Sequence, residues 1–109
     1  MTVSEICKAT RAELICGDTD KPFSGVYAGD LLSRAMSRVS TDNLFITIMA
    51  NTNMIAVASL TEAAAVILAE GVKLPPEAIE AADENGITVL TSPLTAYELC
   101  VCIHDICGE

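Results

Sequence analysis

The sequence predicts an α/β fold, a three-layer α/β/α sandwich around a mainly parallel sheet of about five strands. Three observations carry this. Leu44 to Ala50 is apolar except for Thr47 and rich in β-branched residues, which is how a strand covered on both faces reads. It is followed by a polar turn, Asn51-Thr52-Asn53, a short helix from Met54 to about Glu62, and a second apolar strand, Ala65 to Ala69. That order makes a right-handed βαβ unit with parallel strands. Finally, strands starting near Leu44, Ala65 and Ile87 recur about every 22 residues, the length of a strand, a loop and a short helix. Residue identities do not repeat, so the period is architectural.

The elements follow in order. Thr2-Val3-Ser4-Glu5 has capping-box spacing and opens a helix from Val3 to about Thr10. Ala12 to Cys16 is a short strand, stopped by the turn-rich run Gly17 to Pro22, and Gly25 to Ala28 is another. These two early strands are expected at one edge of the sheet, antiparallel to the rest. Gly29-Asp30 opens a helix to about Val39, with Asp30 as N-cap and Leu31, Leu32, Ala35, Met36 and Val39 inward. Pro75-Pro76 starts a helix that turns Ala78, Ile79 and Ala82 inward and ends at Asn85-Gly86. Ile87 to Thr91 is a buried strand. Thr95 and Glu98 form a second capping box, stapled by Leu94 and Leu99, for a last helix from Ala96 to about Ile106.

At 109 residues the chain is expected to be a single domain. Its 51% hydrophobic content includes few aromatics and no Trp, so the core is built from Ala, Ile, Leu, Val and Met. A net charge of -9 with six Lys and Arg excludes a phosphate-tracking stripe, hence nucleic acid, and disfavours anionic membrane. No apolar run is long enough to span a bilayer, and Glu5 sits where a signal peptide needs positive charge. A cytoplasmic protein is the expectation. Five cysteines, an odd number without a C-x-x-C pair, read as reduced thiols.

Ligands of open parallel sheets bind beyond the carboxyl ends of the strands, where helix N-termini expose amides. Asn51, Thr52 and Asn53, the run Ala69-Glu70-Gly71, and Ser92 with Thr95 are expected to meet there, without a Lys or Arg, around a small polar or nucleotide-like ligand. Asn51 and Asn53 are expected to supply orienting hydrogen bonds and Ser92 or Thr95 to close the other side; Asn53 is the better candidate for the helix cap, so loss of Asn51 should spare stability. Asp30, with Ser33 and Tyr27, is a further polar candidate, although such an Asp is more often only a cap. Cys100, His104 and Cys107 stand one turn apart along one helix, with Cys7 or Asp105 as a fourth ligand, yet lack the paired turn spacing of structural zinc. No metal and no cofactor are expected. His104 is the single histidine, so no acid and base pair is visible.

Gly25-Val26-Tyr27-Ala28-Gly29-Asp30-Leu31-Leu32-Ser33, Phe45-Ile46-Thr47-Ile48 with Asn51 and Asn53, Ile55-Ala56-Val57-Ala58, and Leu90-Thr91-Ser92-Pro93-Leu94 together resemble the small stand-alone DRTGG-domain proteins. The likeness covers nearly the whole chain. It implies a fold similar to the N-terminal domain of HPr kinase/phosphorylase, and a kinship with regulatory regions of some pyrophosphatases. The kinase label attached to such proteins does not transfer, because the chain has no phosphate-binding loop. The residues that name the family are replaced, within Asn51-Thr52-Asn53 and by Ala69-Glu70-Gly71. The expected function is a non-enzymatic regulatory or ligand-sensing module, a homodimer acting through itself or a partner protein. The rivals are a small enzyme or redox or metal protein, and a purely structural dimerisation domain.

Overall fold

The computed structural model describes residues 1–108. In chain order the elements are α1 (Val3–Cys7), β1 (Glu13–Cys16), β2 (Val26–Ala28), α2 (Leu32–Arg38), β3 (Leu44–Thr47), α3 (Thr52–Leu60), β4 (Ala65–Leu68), α4 (Pro76–Asn85), β5 (Val89–Thr91) and α5 (Ala96–Cys107). One five-stranded sheet runs β1-β5-β4-β3-β2, parallel from β2 to β5, with β1 antiparallel to β5. Every residue of β3 and β4 is buried, as the apolar runs require. Phe45, Val66 and Leu68 face a core built with α2, α3 and α4. Leu44, Ile46, Ala65 and Ile67 face a second core made with α1, α5 and Phe23. The three-layer expectation holds.

The two early strands do not share an edge. They form opposite edges, and β2 is parallel to its neighbour. The reason is the crossover through α2, which by handedness lays β2 beside β3, while the segment between β1 and β2 carries the chain across the sheet. That segment is held against α1 by Val3 N–H donating to Lys21 O at 2.9 Å and Ser4 N–H to Thr19 O at 2.9 Å. The expected box at Thr2 does not form, because the Glu5 N–H donates to the Thr2 backbone carbonyl at 3.1 Å and not to the Thr2 side chain. The Thr2 hydroxyl donates to Glu5 Oε1 at 3.2 Å instead, and α1 ends at Cys7, short of Thr10.

Asp30 corrects a second expectation. It is not the N-cap of α2, which starts from Leu31 with no side-chain cap. Its Oδ1 accepts from Thr47 Oγ1 and from Ile48 N–H, each at 2.9 Å. A carboxylate thus takes the amide that would continue the strand, and β3 stops at Thr47 rather than at Ala50. Leu31 and Met36 are exposed, 68% and 43%, rather than inward. Helix α2 lies over the β2 edge with a helical neighbour on one side only, so part of its apolar surface stays uncovered.

Other signals held. Pro76 stands at the first position of α4, and Gly86 ends it at φ 65°. Thr95 and Glu98 form the reciprocal box, Glu98 N–H to Thr95 Oγ1 at 3.2 Å and Thr95 N–H to Glu98 Oε1 at 3.0 Å. Hydrogen bonding to the carboxylate from the Thr95 backbone first and then from its side chain, with a smaller pull from Arg11, holds the Glu98 carboxyl below the usual range. A depressed folded pKa stabilises above the unfolded value and is lost as pH falls through the folded one. Glu98→Gln should therefore lower the melting temperature at neutral pH and converge on the wild type in acid, as a pH series of thermal melts will read.

Gly17 turns the chain out of β1 at φ 94°, where a Cβ would lie 2.4 Å from the Thr88 Cα. The Thr88 hydroxyl is tied to the next residue, donating to Asp18 O at 2.7 Å and accepting from Asp18 N–H at 3.0 Å. Gly17→Ala should cost about 2–4 kcal/mol, combining left-handed strain with overpacking. Urea denaturation measures it, and a loss below the error of the fit would contradict the close approach.

Candidate functional site

All parallel strands deliver their carboxyl ends to one edge, but the loops there do not converge on one point. Strands β2, β3 and β4 each lead to a helix on the same face of the sheet, whereas β5 leads to α5 on the opposite face. Adjacent loops that leave toward opposite faces open a crevice between them. Its base is bridged by Glu70 N–H to Leu94 O and Gly71 N–H to Ser92 O, both 2.8 Å. Above the bridge a cleft of about 440 Å³ remains, lined by Arg11, Glu13, Gly71, Lys73, Thr91, Ser92 and Pro93.

Two consecutive hydroxyls at the end of β5 build its walls. Successive residues of a strand point to opposite faces, and here each reaches a different loop. Thr91 Oγ1 donates to Val72 O at 2.8 Å, which pins the residue before Lys73. Ser92 Oγ donates to Thr10 O at 2.6 Å, which pins the residue before Arg11. Thr10 and Ser92 are fully buried, so this bond is shielded from water. Neither hydroxyl is presented as a nucleophile, since each is committed to a backbone carbonyl. The cleft offers two cations and the Glu13 carboxylate, a chemistry of binding.

The sequence-predicted residues are divided among several places. Ser92 lines the cleft as a positioning residue, and Thr95 is consumed by its capping box. Asn51, not Asn53, caps α3, its Oδ1 accepting from Met54 N–H at 2.9 Å. Thr52 is exposed on the first turn. Asn53 lines a separate groove of about 550 Å³ between α2 and α3, with Leu32, Ser33, Met36, Ala56 and Val57. Asp30 closes the end of β3, while Tyr27 packs its ring on Phe45 with centroids 6.2 Å apart.

Arg11 and Lys73 were not legible as partners of this edge. Arg11 reaches it because β1 pairs antiparallel with β5, a long-range pairing with no local signature. Lys73 was nearer to hand, in the loop after an expected strand.

Cys100, His104 and Cys107 run along α5 without gathering, and among the described residues no three His, Cys, Asp or Glu are placed to hold a metal ion. All five thiols are free. Burial pushes the thiols of Cys7 and Cys100 up; burial and then the charge of Asp83 push that of Cys16 up, opposed by a backbone hydrogen bond at Val89. None of these three is an activated nucleophile.

The expectation that Asn51 could be changed without loss of stability is corrected by its bond to Met54. Asn51→Ala should destabilise by about 1 kcal/mol, and Asn51→Asp should recover most of it. Chemical denaturation of the pair checks this, an unchanged midpoint in Asn51→Ala being the contrary result.

The sequence matches the DRTGG domain over residues 5–106. No curated protein matches it significantly. Among solved structures it is similar to the CBS and DRTGG domains of the regulatory region of Clostridium perfringens pyrophosphatase, complexed with the activator diadenosine tetraphosphate, with a TM-score of 0.77 at 19% identity. That match covers 94% of this chain and 45% of the other, so the chain spans less than half of that regulatory region. At such identity the likeness is one of fold. The family match, which runs nearly from end to end, goes further: this chain belongs to the DRTGG domain family.

Proposed function

We propose that this domain is a non-catalytic regulatory module that senses a small ligand and acts as a homodimer. Family membership supports the regulatory part, and the activator held by the pyrophosphatase region supports a nucleotide-like ligand for this chain. Five free thiols fit a reducing, cytoplasmic setting. No helix among the described residues is long and apolar enough to cross a membrane.

The observation that carries self-association is the outer face of α2, α3 and α4. Helix α3, in the middle, bears no charged residue, and Ala56 and Leu60 are exposed, Leu60 by 70%. On one flank α2 exposes Arg34 and Arg38. On the other α4 exposes Glu77, Glu80, Asp83 and Glu84, with no base in the helix. A two-fold axis running along α3 sets α2 of each copy against α4 of the other, so both ends of the contact pair unlike charges around an uncharged centre. The apolar centre supplies affinity, and the flanks set register, since exposed ion pairs contribute little by themselves.

Light scattering at micromolar concentration should report twice the 11.5 kDa chain mass. Arg34→Glu with Arg38→Glu should give monomer, and adding Glu80→Arg with Glu84→Arg should restore the dimer. A wild-type protein that stays monomeric refutes the reading. A dimer whose mass and stability respond to no small molecule would instead favour a purely structural domain.

A further inference from the structure

We infer that the cleft between Arg11 and Lys73 binds a small phosphorylated molecule that also carries hydroxyls, a ribonucleotide or a sugar phosphate. This rests on the ligand-sensing reading above and supplies the chemistry of the ligand and its place. The chain has a net charge of -9 and only six Lys and Arg, so most of its surface repels an anion. Two of those six converge on one cleft although they are far apart in sequence. They are also anchored there. The residue before each is held through its carbonyl by one of two adjacent β5 hydroxyls, Ser92 for Thr10 and Thr91 for Val72, at 2.6 and 2.8 Å. Two exposed side chains on fixed backbones, on either side of a cavity, can clamp one phosphate with charge-assisted hydrogen bonds.

The rest of the lining defines what the phosphate is attached to. Gly71, at φ 70° and with nothing within 4 Å of where a Cβ would stand, presents bare backbone to the opening. Glu13 can only accept when ionised, so it calls for donors on the ligand, as ribose or sugar hydroxyls are. Inorganic phosphate can occupy the two cations but brings no sugar hydroxyls to that acceptor, which disfavours it alone as the ligand. The volume of about 440 Å³ is at the small end of ordinary ligand clefts, suited to a mononucleotide or a sugar phosphate.

The test is an amide chemical-shift titration of the full chain with AMP, ribose 5-phosphate, adenosine and inorganic phosphate. AMP and ribose 5-phosphate should move the amides of Arg11, Gly71, Lys73, Thr91 and Ser92, more weakly as salt rises, whereas adenosine should leave them in place. A response to AMP but not to ribose 5-phosphate identifies the nucleotide, and equal responses identify the sugar phosphate. Arg11→Gln with Lys73→Gln, both exposed and without a role in the core, should keep the spectrum and weaken AMP binding by about tenfold or more. The inference is overturned if neither phosphorylated probe moves these amides at millimolar concentration. It is also overturned if the double variant binds AMP as well as the wild type, or if inorganic phosphate binds as tightly as the ribose-bearing probes. Light scattering on the same samples separates this from the preceding reading. A dimer indifferent to AMP refutes the site alone, and a monomer that binds AMP in the cleft refutes self-association alone.

Discussion

Burial of β3 and β4 on both faces is the constraint on which the remaining architecture depends. A strand with no polar face needs a layer above and a layer below. Right-handed crossovers fill one layer without further provision: β2, β3, β4 and β5 lie side by side in chain order, so α2, α3 and α4 all fall on one side. The opposite side can be covered only by what lies outside that run. Helices α1 and α5 come from opposite ends of the sequence and share one core cluster, and the Cys107 thiol lies 3.4 Å from the sulfur of Met1, just ahead of α1. The 17–25 segment is the cost of that solution, a long connection that must cross the sheet to begin the parallel run. Phe23 converts it from a bare linker into part of the core.

The local parts of this fold were legible, and the long-range parts were not. Gly86, Pro76 and the Thr95–Glu98 box are short-range devices whose chemistry is complete within one turn, and all are where the sequence put them. The Thr2 box had the same spacing and failed: the Glu5 amide goes to the Thr2 backbone carbonyl, while Lys21 and Thr19 carbonyls from a distant loop take the Val3 and Ser4 amides at the same helix start. Asp30 failed in the same way. Its position suits a cap, but the end of β3 offers it an amide and a hydroxyl together, and that pair is the better partner for one carboxylate oxygen. Capping preference ranks residues for an isolated helix and says nothing of rival donors brought by tertiary structure.

The candidate site divides along the same line. The carboxyl edge of the sheet was the right region, since βα loops carry it in any parallel fold. Which loops face each other there depends on where the face of the connecting helix changes, and that happens once, between β4 and β5. Asn51 and Asn53 lie on the uninterrupted part of the run and are drawn into the cap of α3 and the α2/α3 groove. Thr91 and Ser92 lie at the change of face. That is why two ordinary-looking hydroxyls reach loops on opposite sides of the sheet.

The two surfaces are joined through α4. Lys73 is followed directly by Leu74, buried in the core under the helices, and by Pro75 and Pro76, which fix the start of α4. Proline sets its own φ, so little slack separates the cleft-side loop from the helix that carries Glu77, Glu80 and Glu84. A ligand at Lys73 and a second copy at α4, both as proposed above, would bear on one stiff segment, and coupling between them would need no longer path. If the ligand binds the dimer more tightly than the monomer, linkage requires that it tighten the dimer by the same factor. Regulation through that reciprocity needs no catalysis, because all it requires is a difference in affinity between two states of assembly.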